Sequence, residues 1–268
     1  MRIAIVGAAL AAAGCSAATN YDDPDGPRYA GDHTGAAPVP RSSFRAVTYN
    51  LRYAIEIDKA IAALRSPELA DADVILMQEL DAAGTDRIAA ALGLRYVYYP
   101  ASVHGNGRDF GPAVLTPHPI VADHKLILPY HDPIQDRQRT ATAAVLDVGG
   151  AEVTVYSVHT SIITLGLAAR LEQVDAILDD AAAVAGPVIA GGDFNTGDPG
   201  SSDQTIDRFE ERGWAWASAG TDDTGKSRGL WFLLDYVFAR DLPARSAGVF
   251  RGDAGSDHLP VWAVLDAP

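Results

Sequence analysis

The 268 residues contain a single cysteine, Cys15, so an internal disulfide framework is excluded and nothing staples the fold covalently. Basic residues are also scarce. With 21 Lys+Arg against 35 Asp+Glu the formal net charge is −14, which disfavours a protein that holds nucleic acid by nonspecific neutralisation of phosphates. A local patch drawn from Arg52, Arg108, Arg137, Arg139 and Arg228 would be needed to override that balance. The histidines at His104, His118, His124 and His131 lack the spacing of a zinc site and read as loop residues. No internal repeat at fixed period is present. The most apolar run, Met1 to Cys15, is too short to span a bilayer.

That first segment has a minimal basic start, a short apolar stretch and small residues before Cys15, the shape of a secretory signal. It also resembles a bacterial lipoprotein signal, although Ala12 stands where leucine is usual. The resemblance implies a signal over 1–14, a lipid on Cys15, export, and membrane attachment in the cell envelope on the periplasmic or extracellular side. An ordinary signal cleaved elsewhere, or a buried first strand, are the alternatives. Residues 15–43, rich in Ala, Gly, Pro, Asp and Thr, show no periodic apolar face and read as a flexible tether whose removal should leave the remainder intact. Nothing marks a second domain, so 44–268 is expected to be one catalytic unit and a monomer.

Within 44–268 apolar runs repeatedly end in polar side chains. The central one is Val188-Ile189-Ala190-Gly191-Gly192-Asp193-Phe194-Asn195-Thr196, where small residues run into two glycines that let the backbone turn. A carboxylate and an amide two apart on extended backbone point the same way, so Asp193 is able to accept a proton while Asn195 donates to an oxyanion. Capping of a following segment is the plainer reading of the same pair. Phe44–Asn50, Val74–Met77, Tyr96–Tyr99, Pro112–Thr116, Ile120–Leu128, Tyr236–Phe238 and Pro260–Leu265 read as strands. A hairpin is expected about Gly149-Gly150, joining Thr140–Val148 to Glu152–Val158. Helices are expected at Asp58–Arg65, at Asp86–Leu92 capped by Thr85, near Gln204–Arg212, and at Leu165–Val184, where Leu167, Leu171, Val174 and Leu178 share one face. This pattern alone gives α/β or α+β.

Four further strand ends, Val47-Thr48-Tyr49-Asn50, Ile75-Leu76-Met77-Gln78-Glu79, Val153 to His159, and Asp235 with Ser256-Asp257-His258, stand in an order that resembles the endonuclease/exonuclease/phosphatase superfamily from about Phe44 to Leu265. The resemblance implies a four-layer α/β/β/α sandwich and Mg2+-dependent hydrolysis of a phosphoester, with Mn2+ able to substitute. It makes Glu79 the principal metal ligand, with Asn50 supplying an oxygen or contacting phosphate and Asp257 near the cation. Asp235 pairs with His258, Asp193 activates water or protonates the leaving oxygen, Asn195 holds the phosphoryl group, and His159 assists the leaving group. Pro112 departs from the asparagine usual in relatives. Arg139 begins a strand where a basic residue is frequent and is a candidate phosphate clamp, with Arg170 a weaker one. Asp109 is a candidate to orient His159. A nucleic acid, a lipid head group and a small phosphate ester all remain open as substrate. The competing class is an inactive member of the fold acting as a binding lipoprotein, against which stands the presence of every one of these site residues.

Overall fold

The computed structural model describes residues 19–35, 38, 39, 41–227 and 229–268. The expected signal at 1–14, Cys15 and Arg228 lie outside the described residues. In chain order the elements are β1 (Thr19–Asn20), β2 (Tyr29–Asp32), β3 (Ser43–Asn50), α1 (Ile57–Leu64), β4 (Val74–Leu80), α2 (Ala82–Leu92), β5 (Arg95–Tyr98), β6 (Ser102–Val103), β7 (Asp109–Thr116) and β8 (Ile120–Ile127). The hairpin of β9 (Thr140–Val148) and β10 (Ala151–His159) follows, then α3 (Leu167–Ala182), β11 (Val188–Asp193), α4 (Pro199–Glu211) and β12 (Ala215–Trp216). The chain ends with β13 (Gly225–Ser227), β14 (Leu230–Phe232), β15 (Asp235–Arg240), β16 (Ala244–Val249) and β17 (Val261–Asp266).

Alternation along each strand sorts the side chains into three cores. In β4, Ile75 and Met77 face α1 and α2, meeting Ile57, Ile61, Leu64 and Ile88, while Val74 and Leu76 face the other sheet. In the second sheet, Ala190 and Phe238 pack under α3 and α4 with Ile177 and Phe209, while Ile189 and Val237 face inward. Two mixed sheets pressed together with helices outside make an α/β/β/α sandwich. Strand order is β1-β6-β7-β4-β3-β17-β16 in one sheet, with β5 on β7 and β2 on β5, and β12-β15-β11-β10-β9-β8 in the other.

Several local expectations are corrected. Helix α2 starts at Ala82 because the Asp81 carboxylate accepts from the Gly84 N–H at 2.7 Å, an N-cap four residues ahead of Thr85. Pro199 at the first turn and Asp198 as cap start α4 well before Gln204. Strand β16 lacks branched and aromatic residues except Val249 and gave no strand signal, yet it pairs along β17. The largest correction concerns 15–43. Its described part is not a free tether: β1 pairs with β6 and β2 with β5, Arg28 makes a two-pronged pair with Asp123 at 2.6 and 2.7 Å, and the buried Lys125 donates to the carbonyls of Asp23 and Gly26. Backbone pairing needs no apolar face on the added strand, which is why composition hid it. Among the described residues no helix is long and apolar enough to cross a membrane.

Candidate active site

Strands β3, β4, β10 and β11 all end at one edge of the sandwich, and β10 runs parallel to β11 so that His159 lies opposite Asp193. Asp193 in turn lies opposite Asp235 on the antiparallel β15. This close approach depends on Gly192, where a Cβ would sit 1.9 Å from the Val158 carbonyl oxygen. A glycine here is a steric requirement.

Asn50 joins the two sheets: its Nδ2 donates to Glu79 Oε1 at 3.1 Å and to Asp193 Oδ2 at 3.0 Å, and its Oδ1 accepts from the Arg52 N–H at 3.0 Å. Beneath it Gln78 donates to Ser157 Oγ at 3.1 Å, a second polar link between sheets. Glu79 reaches the site because a bulge between Met77 and Leu80 puts it at φ 60°, where its Oε2 accepts from the Tyr53 N–H at 3.0 Å. Arg52, Tyr53 and Ala54 follow one another at φ 45°, 59° and 53°, and Asn195 is at 48°. Left-handed backbone costs a non-glycine residue about 1–2 kcal/mol, so the strain gathers on the loops that line the site.

His258 bridges two carboxylates, with Nδ1 2.8 Å from Asp235 Oδ2 and Nε2 3.8 Å from Asp193 Oδ2. Thr224 Oγ1 donates to the same Asp235 oxygen at 2.7 Å, while Asp235 Oδ1 is buried without a partner among the described residues. Burial alone would lower the His258 pKa, but Asp235 and Asp193 overcome it and raise it to about 10. Asp193 is pushed up to about 7 by burial, with Asp235 adding to the rise and His258 opposing it. Burial also raises Glu79, and it drives His159 well below its ordinary value with help from Arg139. At neutral pH the site therefore contains a charged His258 and a neutral His159.

Asn195 accompanies Asp193 through its N–H, which donates to Asp193 Oδ1 at 2.9 Å, while its Nδ2 donates to the Thr160 carbonyl at 3.0 Å. Arg170 is buried and donates to the Asn195 carbonyl, so it braces that loop. Arg139 lies 3.1 Å from a ring nitrogen of His159 and over the Phe110 ring at 5.2 Å, with its own Nε buried and unpartnered among the described residues. Asp257 sits on the rim, 3.5 Å from Arg52 Nε and near enough to Glu79 to help push that carboxyl up. Asp109 does not serve His159; it accepts from Tyr21 at 2.8 Å. His118, His124 and His131 pair with Asp73, Asp180 and Asp136, away from the site. The sequence carries no signal for Thr224, whose role comes from a loop crossing under β15, nor for the ring of Phe110 against His159.

Glu79, His159 and Asp193 bring ligand atoms within 4.8 Å of one another, as do Asp193, Asp235 and His258. The second group is closed by its own ion pair and by the charge on His258. The first offers carboxylate oxygens whose pKa values are raised by burial, a donor set that fits a hard divalent cation.

The model of the Endonuclease/Exonuclease/phosphatase family matches residues 47–258, a span that includes every residue placed above from Asn50 to His258. This chain belongs to that family. Solved structures of family members share the fold. The protein from Leptotrichia buccalis C-1013-b is 18% identical with a TM-score of 0.69, covering 84% of this chain and 100% of its own. The one from Beutenbergia cavernae DSM 12333 is 22% identical with a TM-score of 0.67, covering 84% and 72%. The mannosyl-6-phosphatase of Bacteroides thetaiotaomicron VPI-5482 is 20% identical with a TM-score of 0.64, covering 84% and 100%. No curated protein sequence matches the chain.

Proposed function

We propose that this family member is a divalent-metal-dependent phosphoesterase, with Mg2+ as the cofactor. The observation that carries it is the unbroken run of contacts from Glu79 through Asn50, Asp193 and His258 to Asp235, in which acidic, amide and cationic groups face one small volume. Glu79, with the Asn50 side chain beside it, would hold the cation, which when bound neutralises charge on the phosphoryl oxygens. Asp193 takes the proton of the attacking water, since a carboxylate near pH 7 is matched to that task. His258, held cationic by Asp235, donates to a phosphoryl oxygen where negative charge grows. Arg139 contributes a second cation from the opposite wall, and His159, uncharged, is a hydrogen-bond partner and not a charge. Asp257 and Arg52 close the rim.

A relative named as a mannosyl-6-phosphatase supports monoesters as one substrate class, and the family's name supports diesters as another. A panel of both, assayed with and without Mg2+ beside Asp193→Ala, decides between them. Turnover by none of them would defeat the reading. The apolar segment ending at Cys15 further supports an exported, lipid-anchored enzyme, for which intact-mass analysis of the mature N-terminus is the test.

A further inference from the structure

A line of rings leads from the phosphoryl-binding groups to the surface. The Phe110 centroid lies 5.5 Å from that of His159, His104 lies 5.6 Å from Phe110, and Tyr53 lies 4.2 Å from His104. Phe110 is buried, whereas Tyr53 keeps 37% of its surface exposed, so the wall begins against the catalytic imidazole and emerges at the mouth. His104 is pushed down to about 4 by burial, with Arg137 and Arg139 adding, so its ring is a flat uncharged surface at neutral pH.

Two features tie this wall to the chemistry. The left-handed turn at Arg52–Ala54 is held by the N–H of Tyr53 on Glu79 and the N–H of Arg52 on Asn50, so the Tyr53 ring is registered to the same groups that face the phosphoryl volume. Arg139 lies over the Phe110 ring at 5.2 Å, and Arg137 stands two residues before it on the loop leading into β9. A cation beside a stack of rings is the pairing that single-stranded nucleic acid and nucleotides exploit, because each base has a π-face and each phosphate a charge.

We propose that Tyr53, His104 and Phe110 form a subsite for a flat heteroaromatic ring carried by the phosphoester substrate, with Arg137 placed for a further anion, so that the preferred substrates are nucleotide esters. This rests on the phosphoesterase reading, but its test is separate. Binding of adenosine monophosphate and of ribose 5-phosphate is measured by calorimetry in Mg2+ with the wild-type protein, Tyr53→Leu and Tyr53→Phe. The two ligands differ only in the base. The nucleotide should bind roughly 5- to 100-fold more tightly to the wild type, the range one stacked base accounts for. Tyr53→Phe should keep that ratio, and Tyr53→Leu should remove most of it with ribose 5-phosphate binding unchanged. Equal affinities in the wild type, an unchanged ratio in Tyr53→Leu, or an equal loss for both ligands would overturn the proposal. A second arm adds a short single-stranded oligonucleotide. If Arg137→Ala weakens the strand and spares the mononucleotide, the ring comes from a polynucleotide; if neither changes, it comes from a free nucleotide. Failure of the phosphoesterase reading shows elsewhere, as absent turnover with the binding ratio intact.

Discussion

His258 stands between two carboxylates, 2.8 Å from Asp235 on one ring nitrogen and 3.8 Å from Asp193 on the other. The closer contact fixes which nitrogen faces Asp193, and the pair of negative charges keeps the ring protonated. Removing one preorganised charge-stabilising group typically costs on the order of 10²–10³ in rate. His258→Gln and Asp235→Asn are each expected to lose turnover on that scale while remaining folded, and the double variant should lose little more, because the two act as a unit. Steady-state kinetics on the substrate identified by the panel measures this.

The same contact gives a pH signature for stability. A histidine whose folded pKa is raised from 6.5 to about 10 contributes stability that is fully present below 6.5 and is lost as pH rises through about 10. The stability gap between wild type and His258→Gln should therefore be widest near pH 6 and shrink steadily towards pH 10. Denaturant melts at a series of pH values read it. A gap that is flat across this range would mean the ring is neutral in the folded protein.

Glu79 is raised by burial against the opposing charges of His258 and Arg139, and it accepts from Asn50 and Tyr53. A carboxylate so desolvated predicts that Glu79→Gln raises the Mg2+ concentration needed for half-maximal activity by about tenfold or more, with kcat at saturating metal less affected. Calorimetric titration of Mg2+ should show the same weakening without reference to turnover. Chelator should abolish wild-type activity and added Mg2+ should restore it.

Gly192 is the steric keystone of the edge that carries Asp193. A Cβ there would fall 1.9 Å from a backbone oxygen on the neighbouring strand, and backbone cannot rotate away as a side chain would. Gly192→Ala should cost on the order of 3 kcal/mol or more, seen as a large fall in the denaturation midpoint or as insoluble protein. Gly149→Ala in the hairpin loop has nothing within 4 Å and should cost less, from its φ of 67° alone.

How legible this was depends on the kind of signal. Strands such as Val74–Met77 and the Gly149-Gly150 hairpin are written in local patterns of apolar residues and turn chemistry, and they lie where those patterns put them. Asn50, Glu79, His159 and Asp193 stand out in the sequence because each ends an apolar run with a group too polar to bury idly, and His258 because it stands just before one, next to Asp257. Asp257 was readable as a motif member but not as a rim residue, since only its pairing with Arg52 reveals that. Thr224, the Gln78–Ser157 link and the left-handed turn at Arg52–Ala54 are products of tertiary contact, and no window of sequence contains them. Strands β1 and β2 were missed for a different reason: an edge strand gains its stability from backbone hydrogen bonds, to which side-chain composition is blind.

Those two strands carry the last prediction. Asn20 of β1 accepts from the N–H of Gln138 at 3.0 Å and donates to the Asp136 carbonyl at 2.7 Å, so the segment grips the loop that leads into Arg139. Tyr21 holds Asp109 at the start of β7, and the carbonyls of Asp23 and Gly26 are the recorded acceptors of the buried Lys125 ammonium. A protein beginning at Arg41 would lose both of those hydrogen bonds together with the pairing of β1 and β2, each lost hydrogen bond costing about 0.5–1.5 kcal/mol. Each kcal/mol lowers the melting temperature of a domain this size by roughly 2–4 °C. The truncated protein should therefore melt several degrees lower. Its turnover should also fall, because Arg139 loses the support of its loop. A truncated protein with the melting temperature and kcat of the full chain would return the segment to the status of a spacer.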